Sequence, residues 1–374
     1  MTLDPKLLIE LADSALAADY TRVRRSVNAL AKALEAAGDA EAARSLRARV
    51  RKRGAPLRAS GYMETLPSDG KTRLPLIEEQ SPANQPIFLN EYDHSRFESF
   101  LDDIRHAERL AEKGIAAHLC LLLSGPPGTG KSLLASHAAQ QLARPFYVVR
   151  LDSAISSLLG DTAKNLRAVF DFVPAKGAVL FLDEMDAIAK LRDDRHELGE
   201  IKRVVNTVLQ GLDSLDHEAV VIGATNHSHL LDPAIWRRFP YKIELDLPDQ
   251  DVRTALWLHF LFENHNVEQS KAAVLAAISA GLSGADIETV SLMARRHAVI
   301  DERPIDVTAV AWAVLNSTIS QAAMPRREGI GKDELTALIT GLAVQTPAAE
   351  IARFLEMTRQ AVGYHLKKAK ADAE

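Results

Sequence analysis

The stretch Gly125-Pro126-Pro127-Gly128-Thr129-Gly130-Lys131-Ser132 separates an apolar run, Leu119–Leu123, from a helical pattern that begins at Leu133. Glycines in such a loop allow backbone N–H groups to turn toward phosphate oxygens, and the N-terminus of the following helix adds a positive field. A lysine at the position of Lys131 reaches the β- and γ-phosphates, and a hydroxyl at the position of Ser132 coordinates Mg²⁺. The spacing therefore predicts that this loop, with Leu133 behind it, binds a nucleoside triphosphate and Mg²⁺.

The composition is that of an ordinary globular chain, with 47% hydrophobic and 25% charged residues among 374. A chain of this length usually folds into two or three domains. The net charge of −5 argues against a globally basic nucleic-acid binder and leaves room for a local basic patch. The single cysteine, Cys120, excludes a disulfide framework within the chain. No run approaches the roughly 20 apolar residues of a membrane span, so we expect a cytoplasmic protein without a membrane segment.

Short apolar runs alternate with helical patterns downstream of residue 117. Strands that alternate with helices form a parallel sheet with helices on both of its faces. The sequence therefore predicts an α/β fold built on a parallel P-loop sheet. The predicted strands are His118–Leu123, Phe146–Leu151, Ala178–Leu182, Val220–Ala224 and Lys242–Leu245.

The flanking regions differ from this alternating part. The N-terminal residues have the periodicity of a helical hairpin, and the segment after them is rich in proline, glycine and serine, as linkers are. Helical patterns alone follow Pro248, and a break near Pro325 precedes a last helical block. The predicted units are a hairpin at 1–53, a linker at 54–85, a nucleotide-binding α/β unit at 86–248, a small helical unit at 249–325 and a three-helix unit at 332–374.

Polar side chains end two of the predicted strands. Asp183 and Glu184 follow Ala178–Leu182 directly. In a nucleoside triphosphatase the first carboxylate of such a pair holds Mg²⁺, and the second polarises a water molecule for attack on the γ-phosphate. Asn226 follows the next strand and could hold the same water, although an asparagine at a strand end is also a common turn residue.

Two adjacent arginines, Arg237 and Arg238, lie within Leu231-Asp-Pro-Ala-Ile-Trp-Arg-Arg-Phe239. Guanidinium groups can neutralise the charge that develops during phosphoryl transfer, and a neighbouring subunit can supply them. The alternative is an ion pair or phosphate contact within one chain. The residues themselves leave both possibilities open.

Jointly, these motifs resemble those of the AAA family of ATPases in the AAA+ superfamily. The branch concerned contains membrane proteases, unfoldases and severing enzymes. The resemblance extends from about Leu74 to Ala298. The segments that carry it are Gly125–Ser132, Phe181–Ile188, Gly223–Asn226, Leu231–Phe239 and Gly281–Ile287.

The resemblance implies specific roles. It implies that Gly125–Ser132 is the Walker A loop, that Asp183 and Glu184 are the Walker B pair, and that Asn226 is sensor 1. Arg237 and Arg238 resemble the arginine fingers that act on a neighbouring subunit, and Gly284 and Ala285 resemble the lid residues beside the adenosine. A large α/β subdomain, a small helical lid and a ring, usually a hexamer, with ATP and Mg²⁺ at subunit interfaces are also implied.

Two segments depart from the family pattern. The family usually has Arg-Pro-Gly-Arg-Phe where this chain has Arg237-Arg238-Phe239, and Arg238 beside Phe239 matches the second finger better. Relatives that thread polypeptide place an aromatic residue two positions before a glycine, where this chain has Leu158-Leu159-Gly160. Leucine offers a smaller gripping surface than an aromatic ring. That loop is interpreted either as a weaker pore loop or as a helix-capping turn.

The last helical block, within residues 346–370, resembles a helix-turn-helix. Its inner face would comprise Ile351, Ala352, Leu355, Val362 and Leu366. The outward residue types suit base edges and phosphates in a major groove. Glu356 replaces the usual turn glycine, and a three-helix unit of this kind also serves as a protein-docking module. DNA binding, protein docking and simple packing all remain open.

Two functions from different classes follow. The first is an AAA ATPase that hydrolyses ATP at the interfaces of a ring to remodel, unfold or regulate a protein partner. A companion protease is one such partner, because this chain has no protease motif of its own. The second is a DNA-associated ATPase or regulator that docks through residues 346–370. A scaffold whose ATP cycle only switches assembly is a third possibility.

Overall fold

The structure is a computed structural model of the full chain. It describes residues 26–27, 29–32, 34, 66–68, 75–115, 117–150, 162–175, 177–187, 198–215, 219–265, 268–318, 332–343 and 346–371. The chain divides into two compact units, Met1–Leu66 and Pro67–Glu374. In the first unit the described residues between 26 and 34 are helical, and Leu30, Ala31 and Leu34 are buried. The rest of the predicted hairpin lies outside the described residues.

The second unit contains a six-stranded sheet in the order β1-β3-β4-β5-β2-β6. Strands β2 to β6 pair in parallel, and β1 pairs with β3 in the antiparallel direction. The predicted α/β fold with a parallel sheet is therefore confirmed, with one antiparallel strand added at an edge. The strands are β1 (Glu78–Gln80), β2 (Leu119–Ser124), β3 (Phe146–Arg150), β4 (Val179–Asp183), β5 (Val220–Thr225) and β6 (Tyr241–Glu244).

Strand β1 falls within the segment predicted to be a linker. Its sequence, Glu-Glu-Gln, is fully exposed and polar, so it carries no apolar signal. Backbone pairing of Glu78 with Val148 and of Gln80 with Phe146 places it on the sheet. The sequence predicted a linker over this segment and did not predict the strand within it.

Helices cover the sheet. Asn90 caps the first of them by accepting a hydrogen bond from the Asp93 N–H at 2.8 Å. Phe97 and Phe100 of that helix are fully buried in the core formed with the strands. The helices of this part are α1 (Glu91–Arg105), α2 (Ala107–Glu112), α3 (Lys131–Gln141), α4 (Thr162–Ala175), α5 (Leu198–Asp213) and α6 (Pro233–Trp236).

The remainder of the chain is helical and has its own core. Trp257 is completely buried there, and its indole N–H donates to Ser279 Oγ at 3.0 Å. The last three helices share this core, because Leu335, Ile351 and Val362 belong to the same buried cluster as Trp257. The helices are α7 (Gln250–Phe260), α8 (Gln269–Ile278), α9 (Gly284–Ile300), α10 (Val307–Thr318), α11 (Lys332–Leu342), α12 (Ala348–Phe354) and α13 (Arg359–Ala371).

None of the helices within the described ranges is long and apolar enough to cross a membrane. The segment Leu158-Leu159-Gly160 lies outside the described residues, so its two interpretations stay predictions. The proposed unit boundaries also stay predictions.

Candidate nucleotide-binding site

The loop Gly125–Ser132 connects β2 to α3, as the sequence predicted. Three of its glycines have positive φ: Gly125 at 142°, Gly128 at 78° and Gly130 at 93°. A Cβ atom on Gly125 would lie only 2.0 Å from the Leu245 carbonyl oxygen, and one on Gly128 would lie 2.4 Å from Ser283 Oγ. Side chains at these positions are excluded both by φ and by neighbouring atoms. The loop is therefore a cradle whose shape requires glycine.

Lys131 is held inside this cradle. Its side chain is 8% exposed, and Nζ donates to the carbonyl oxygens of Gly125 and Pro126, each at 2.8 Å. Burial lowers the pKa of Lys131, while Asp183 and Asp186 act in the opposite direction. Among the residues described, its hydrogen bonds go only to these neutral carbonyls. An ammonium placed so at a helix N-terminus fits a phosphate ligand, and Ser132 is exposed beside it.

The two carboxylates lie at the carboxyl edge of the sheet. Asp183 is the last residue of β4 and is paired in register with Arg150, and β4 adjoins β5, which adjoins β2 in turn. The Glu184 N–H donates to Asp183 Oδ1 at 2.9 Å. Glu184 has a φ of 55°, a left-handed conformation that is unfavourable for a residue other than glycine. Such strain is concentrated at functional sites, where the surrounding structure maintains it.

Asp186 connects the segment that carries Asp183 and Glu184 to the end of β5 through hydrogen bonds. This residue is 2% exposed, and its Oδ1 accepts hydrogen bonds from Thr225 Oγ1 at 3.1 Å and from the Asn226 N–H at 3.2 Å. Asn226 is thereby brought to the same edge as Asp183 and Glu184. Sequence reasoning missed this positioning residue. The signal was a third acidic residue in Phe181–Ile188, but only the tertiary structure shows what it contacts.

The N-terminus of α9 meets the loop from the other side. The Ala285 N–H donates to the Gly128 carbonyl at 3.1 Å. A capping box fixes this terminus, since Ser283 Oγ accepts from the Asp286 N–H and Asp286 Oδ2 accepts from the Ser283 N–H at 2.9 Å. Gly284 and Ala285 therefore lie beside the loop, and the role beside the adenosine that the resemblance implied for them stays a prediction.

The two arginines have different surroundings. Arg238 donates from Nε and Nη2 to the two oxygens of Asp213, at 2.8 and 2.9 Å, and from Nη1 to the Ala234 carbonyl at 3.0 Å. This is the ion pair within one chain that the sequence analysis gave as one of two possibilities. Arg237 is exposed, and its side chain forms no hydrogen bond or ion pair with described residues. Arg238 matched the second finger of the family better, but it is Arg237 whose guanidinium is available to another molecule.

The loop, the carboxylate pair and the N-terminus of α9 lie at one edge of the sheet. Residues 121–247 match the family model of the ATPase family associated with various cellular activities (AAA). This segment is an AAA domain. The resemblance predicted from the motifs is confirmed at this level, whereas the helix-turn-helix resemblance of the C-terminal block stays a prediction.

The chain is similar to several curated proteins with different names. The chain is 39% identical to an uncharacterized AAA family ATPase, y4kL, from Sinorhizobium fredii. The alignment spans 201 residues, which are 54% of this chain and 60% of the relative. The chain is 33% identical to the ATP-dependent zinc metalloprotease FtsH 2 of Sphaerobacter thermophilus, over 71% of this chain and 38% of the relative. It is 36% identical to the proteasome-activating nucleotidase of Archaeoglobus fulgidus, over 56% of each chain. The chain thus spans less than two thirds of the length of each of these relatives.

Proposed function

We propose that this protein binds ATP with Mg²⁺ in the Gly125–Ser132 loop and hydrolyses it to remodel, unfold or regulate a protein partner. The observation that carries the proposal is the convergence of the loop, Asp183, Glu184 and Asn226 at one edge of the sheet. The names of two relatives, a metalloprotease and a proteasome-activating nucleotidase, support a protein as the target. A companion protease is a suitable partner, because the chain itself lacks a protease motif.

Each site residue has a role in this proposal. The loop amides and Lys131 bind the phosphates, while Ser132 and Asp183 supply the oxygen ligands for Mg²⁺. When bound, Mg²⁺ neutralises charge on the β- and γ-phosphate oxygens. Glu184, with Asn226 beside it, orients and polarises the attacking water. Gly284 and Ala285 contact the adenosine side of the nucleotide.

We further propose that copies of the chain assemble so that the nucleotide lies between them. The exposed guanidinium of Arg237 is unmatched within the described chain and suits a γ-phosphate on a neighbour. A closed ring, which we expect to be a hexamer, is the assembly in which every copy both binds and completes a site. We expect this assembly to function in the cytoplasm.

A DNA-associated regulator is the less favoured candidate for the main function. The curated relatives named above that have stated activities act in proteolysis, according to their names. DNA contact by the terminal helices would be a separate property of the same chain, compatible with a protein as the substrate of remodelling.

Two variants of the site test the ATPase proposal. Lys131→Ala should abolish ATP binding, whereas Glu184→Gln should bind ATP with near wild-type affinity and lower turnover by at least about 100-fold. The exposed Glu108→Gln on α2 is the matched control and should behave as wild type. The measurements are equilibrium binding of ATP and phosphate release. Wild-type turnover by Glu184→Gln would overturn the role given to this carboxylate.

A further inference from the structure

The C-terminal helices α11 to α13 pack on one another and on the preceding helices, and residues at the start of α13 are exposed. Ile351, Ala352 and Leu355 of the α12 region and Val362 of α13 are buried, as the sequence predicted. Residues 355–358 form the short turn between α12 and α13. Within it, Glu356 adopts the left-handed φ of 52° that the usual turn glycine would adopt. The substitution by glutamate therefore leaves the sharp turn intact.

The opposite face of α13 is open to solvent and polar. Thr358, Arg359 and Gln360 are exposed at the start of the helix. Tyr364, which is 68% exposed, and Lys367 continue the face at i+4 and i+7 from Gln360. Gly363 lies between them, and nothing comes within 4 Å of a Cβ atom built on it. This stripe combines hydroxyl, amide and guanidinium groups with a small residue that permits close approach.

The charged residues of α13 are all basic. Its 13 residues contain Arg359, Lys367, Lys368 and Lys370 and no acidic residue. The chain as a whole has a net charge of −5, so the helix is a local basic element on an acidic protein. The positive end of the helix dipole, at Arg359, adds to this field. A polyanion is the ligand that this distribution attracts.

We propose that the outward face of α13, defined as Thr358, Arg359, Gln360, Tyr364 and Lys367, binds duplex DNA in the major groove. Arginine and glutamine have the geometry to bind guanine and adenine edges, and the lysine suits phosphates. A protein-docking face would present an apolar centre, and a membrane face would present leucine or phenylalanine, whereas Tyr364 is the single large apolar side chain here. The major groove of double-stranded RNA is too deep and narrow to admit such a helix.

The face is attached firmly to the helical part that carries α9. Helix α12 packs against α8, and Ile351 and Leu355 share a buried cluster with Leu275 and Trp257. This fixed attachment keeps α13 in one orientation, as a surface that reads base edges requires. The binding face is far in sequence from the loop at Gly125–Ser132, so it adds a property to the proposed ATPase without altering its chemistry.

The test uses the full-length protein and labelled duplexes of about 30 base pairs, enough for several turns of the groove. Fluorescence anisotropy at about 50 mM salt should detect binding that weakens steeply as the salt concentration rises. Arg359→Ala should weaken binding about tenfold, and Lys367→Ala should reduce the salt slope by about one. Lys113→Ala, which removes an exposed cation from another surface, is the control and should leave binding unchanged.

Selection from a random-sequence DNA pool should enrich a shared motif with the wild-type protein and not with Gln360→Ala. ATP hydrolysis by each variant should equal that of wild type, which shows that the chain is folded. The proposal is overturned if the wild type fails to bind duplex DNA at low salt. It is equally overturned if Arg359→Ala/Lys367→Ala binds as tightly as wild type, if double-stranded RNA or phosphatidylserine vesicles bind more tightly than DNA, or if a protein partner requires this face while DNA does not.

Discussion

Asp213 at the end of α5 accepts hydrogen bonds from Arg238 with both of its carboxylate oxygens, at nitrogen–oxygen distances of 2.8 and 2.9 Å. The hydrogen bonds from Arg238 lower the pKa of the Asp213 carboxyl. A bidentate pair of this kind fixes the plane of the guanidinium. Because Arg238 is engaged within its own chain, the exposed Arg237 is the arginine of the two whose guanidinium forms no hydrogen bond or ion pair with described residues.

The two arginines should therefore differ when they are replaced. Arg237→Ala should lower the ATP turnover number by about 1,000-fold, as loss of an arginine finger does, with little change in ATP affinity. Arg238→Ala should have a much smaller effect, and Asp213→Asn should reproduce it because both remove the same pair. Phosphate release and nucleotide titration measure the two quantities. A loss in Arg238→Ala as large as that in Arg237→Ala, with Asp213→Asn silent, would reverse the assignment.

The phosphate loop should not tolerate alanine at Gly125. The added Cβ would lie 2.0 Å from the Leu245 carbonyl oxygen, so either the loop or the end of β6 must move. We expect Gly125→Ala to lose the rise in thermal midpoint that ATP and Mg²⁺ produce in the wild type. Gly130→Ala is the matched control, because its φ is also positive but nothing lies within 4 Å of the added atom. It should retain part of the ATP-induced rise, and equal behaviour of the two variants would contradict the steric account.

Glu356 offers a stabilising substitution. A residue with a Cβ in the left-handed region costs about 1 kcal/mol relative to glycine. Glu356→Gly should therefore unfold at a higher urea concentration than Glu356→Ala, which keeps the Cβ while also removing the charge. Chemical denaturation followed by circular dichroism provides the comparison. If the alanine variant is the more stable, the left-handed turn is not the source of strain.

His137 should make folding stability depend on pH. Its ring lies 6.3 Å from that of Phe97, and its buried Nδ1 has no hydrogen-bond partner among the described residues. Burial lowers the pKa of His137, which the charge of Glu98 opposes. Because the folded pKa lies below the unfolded value of about 6.5, the unfolded state takes up the proton first, and stability falls as the pH drops below that value.

The measurement is the urea midpoint at about pH 7.5 and at about pH 5.5, on either side of the unfolded histidine pKa. His137→Gln should show a smaller fall between these two conditions than the wild type. The same substitution at the exposed His94 should leave the fall unchanged. An undiminished fall in His137→Gln would mean that other groups cause the acid sensitivity.

The sequence predicted those parts of the fold that local pattern encodes. Apolar runs marked the five parallel strands to within one or two residues, and the glycine spacing marked the loop between β2 and α3. Strand β1 was missed, because a Glu-Glu-Gln edge strand is defined by its backbone partner and not by its side chains. The pattern of side chains predicts a strand where burial is periodic. It does not predict a strand that only backbone pairing with a neighbour defines.

The sequence pointed to the residues of the candidate site but not to the contacts among them. Asp183 and Glu184 carry their own signal, whereas the contacts of Asp186 with Thr225 and Asn226 join positions about 40 residues apart. The pair between Arg238 and Asp213 spans 25 residues, so the sequence could not show that Arg238 is engaged within its own chain. Such tertiary contacts distinguish a side chain that is bonded within its own chain from one that can contact another molecule.

In the proposed assembly, one copy of the chain holds the nucleotide and the next copy completes its site. Mixing Lys131→Ala protein with Arg237→Ala protein tests this directly, because each is inactive alone for a different reason. Phosphate release should be partly restored in the mixture, with a maximum at intermediate ratios, since a mixed assembly contains intact sites between unlike neighbours. Absence of restoration at every ratio, with both proteins shown to associate, would contradict it.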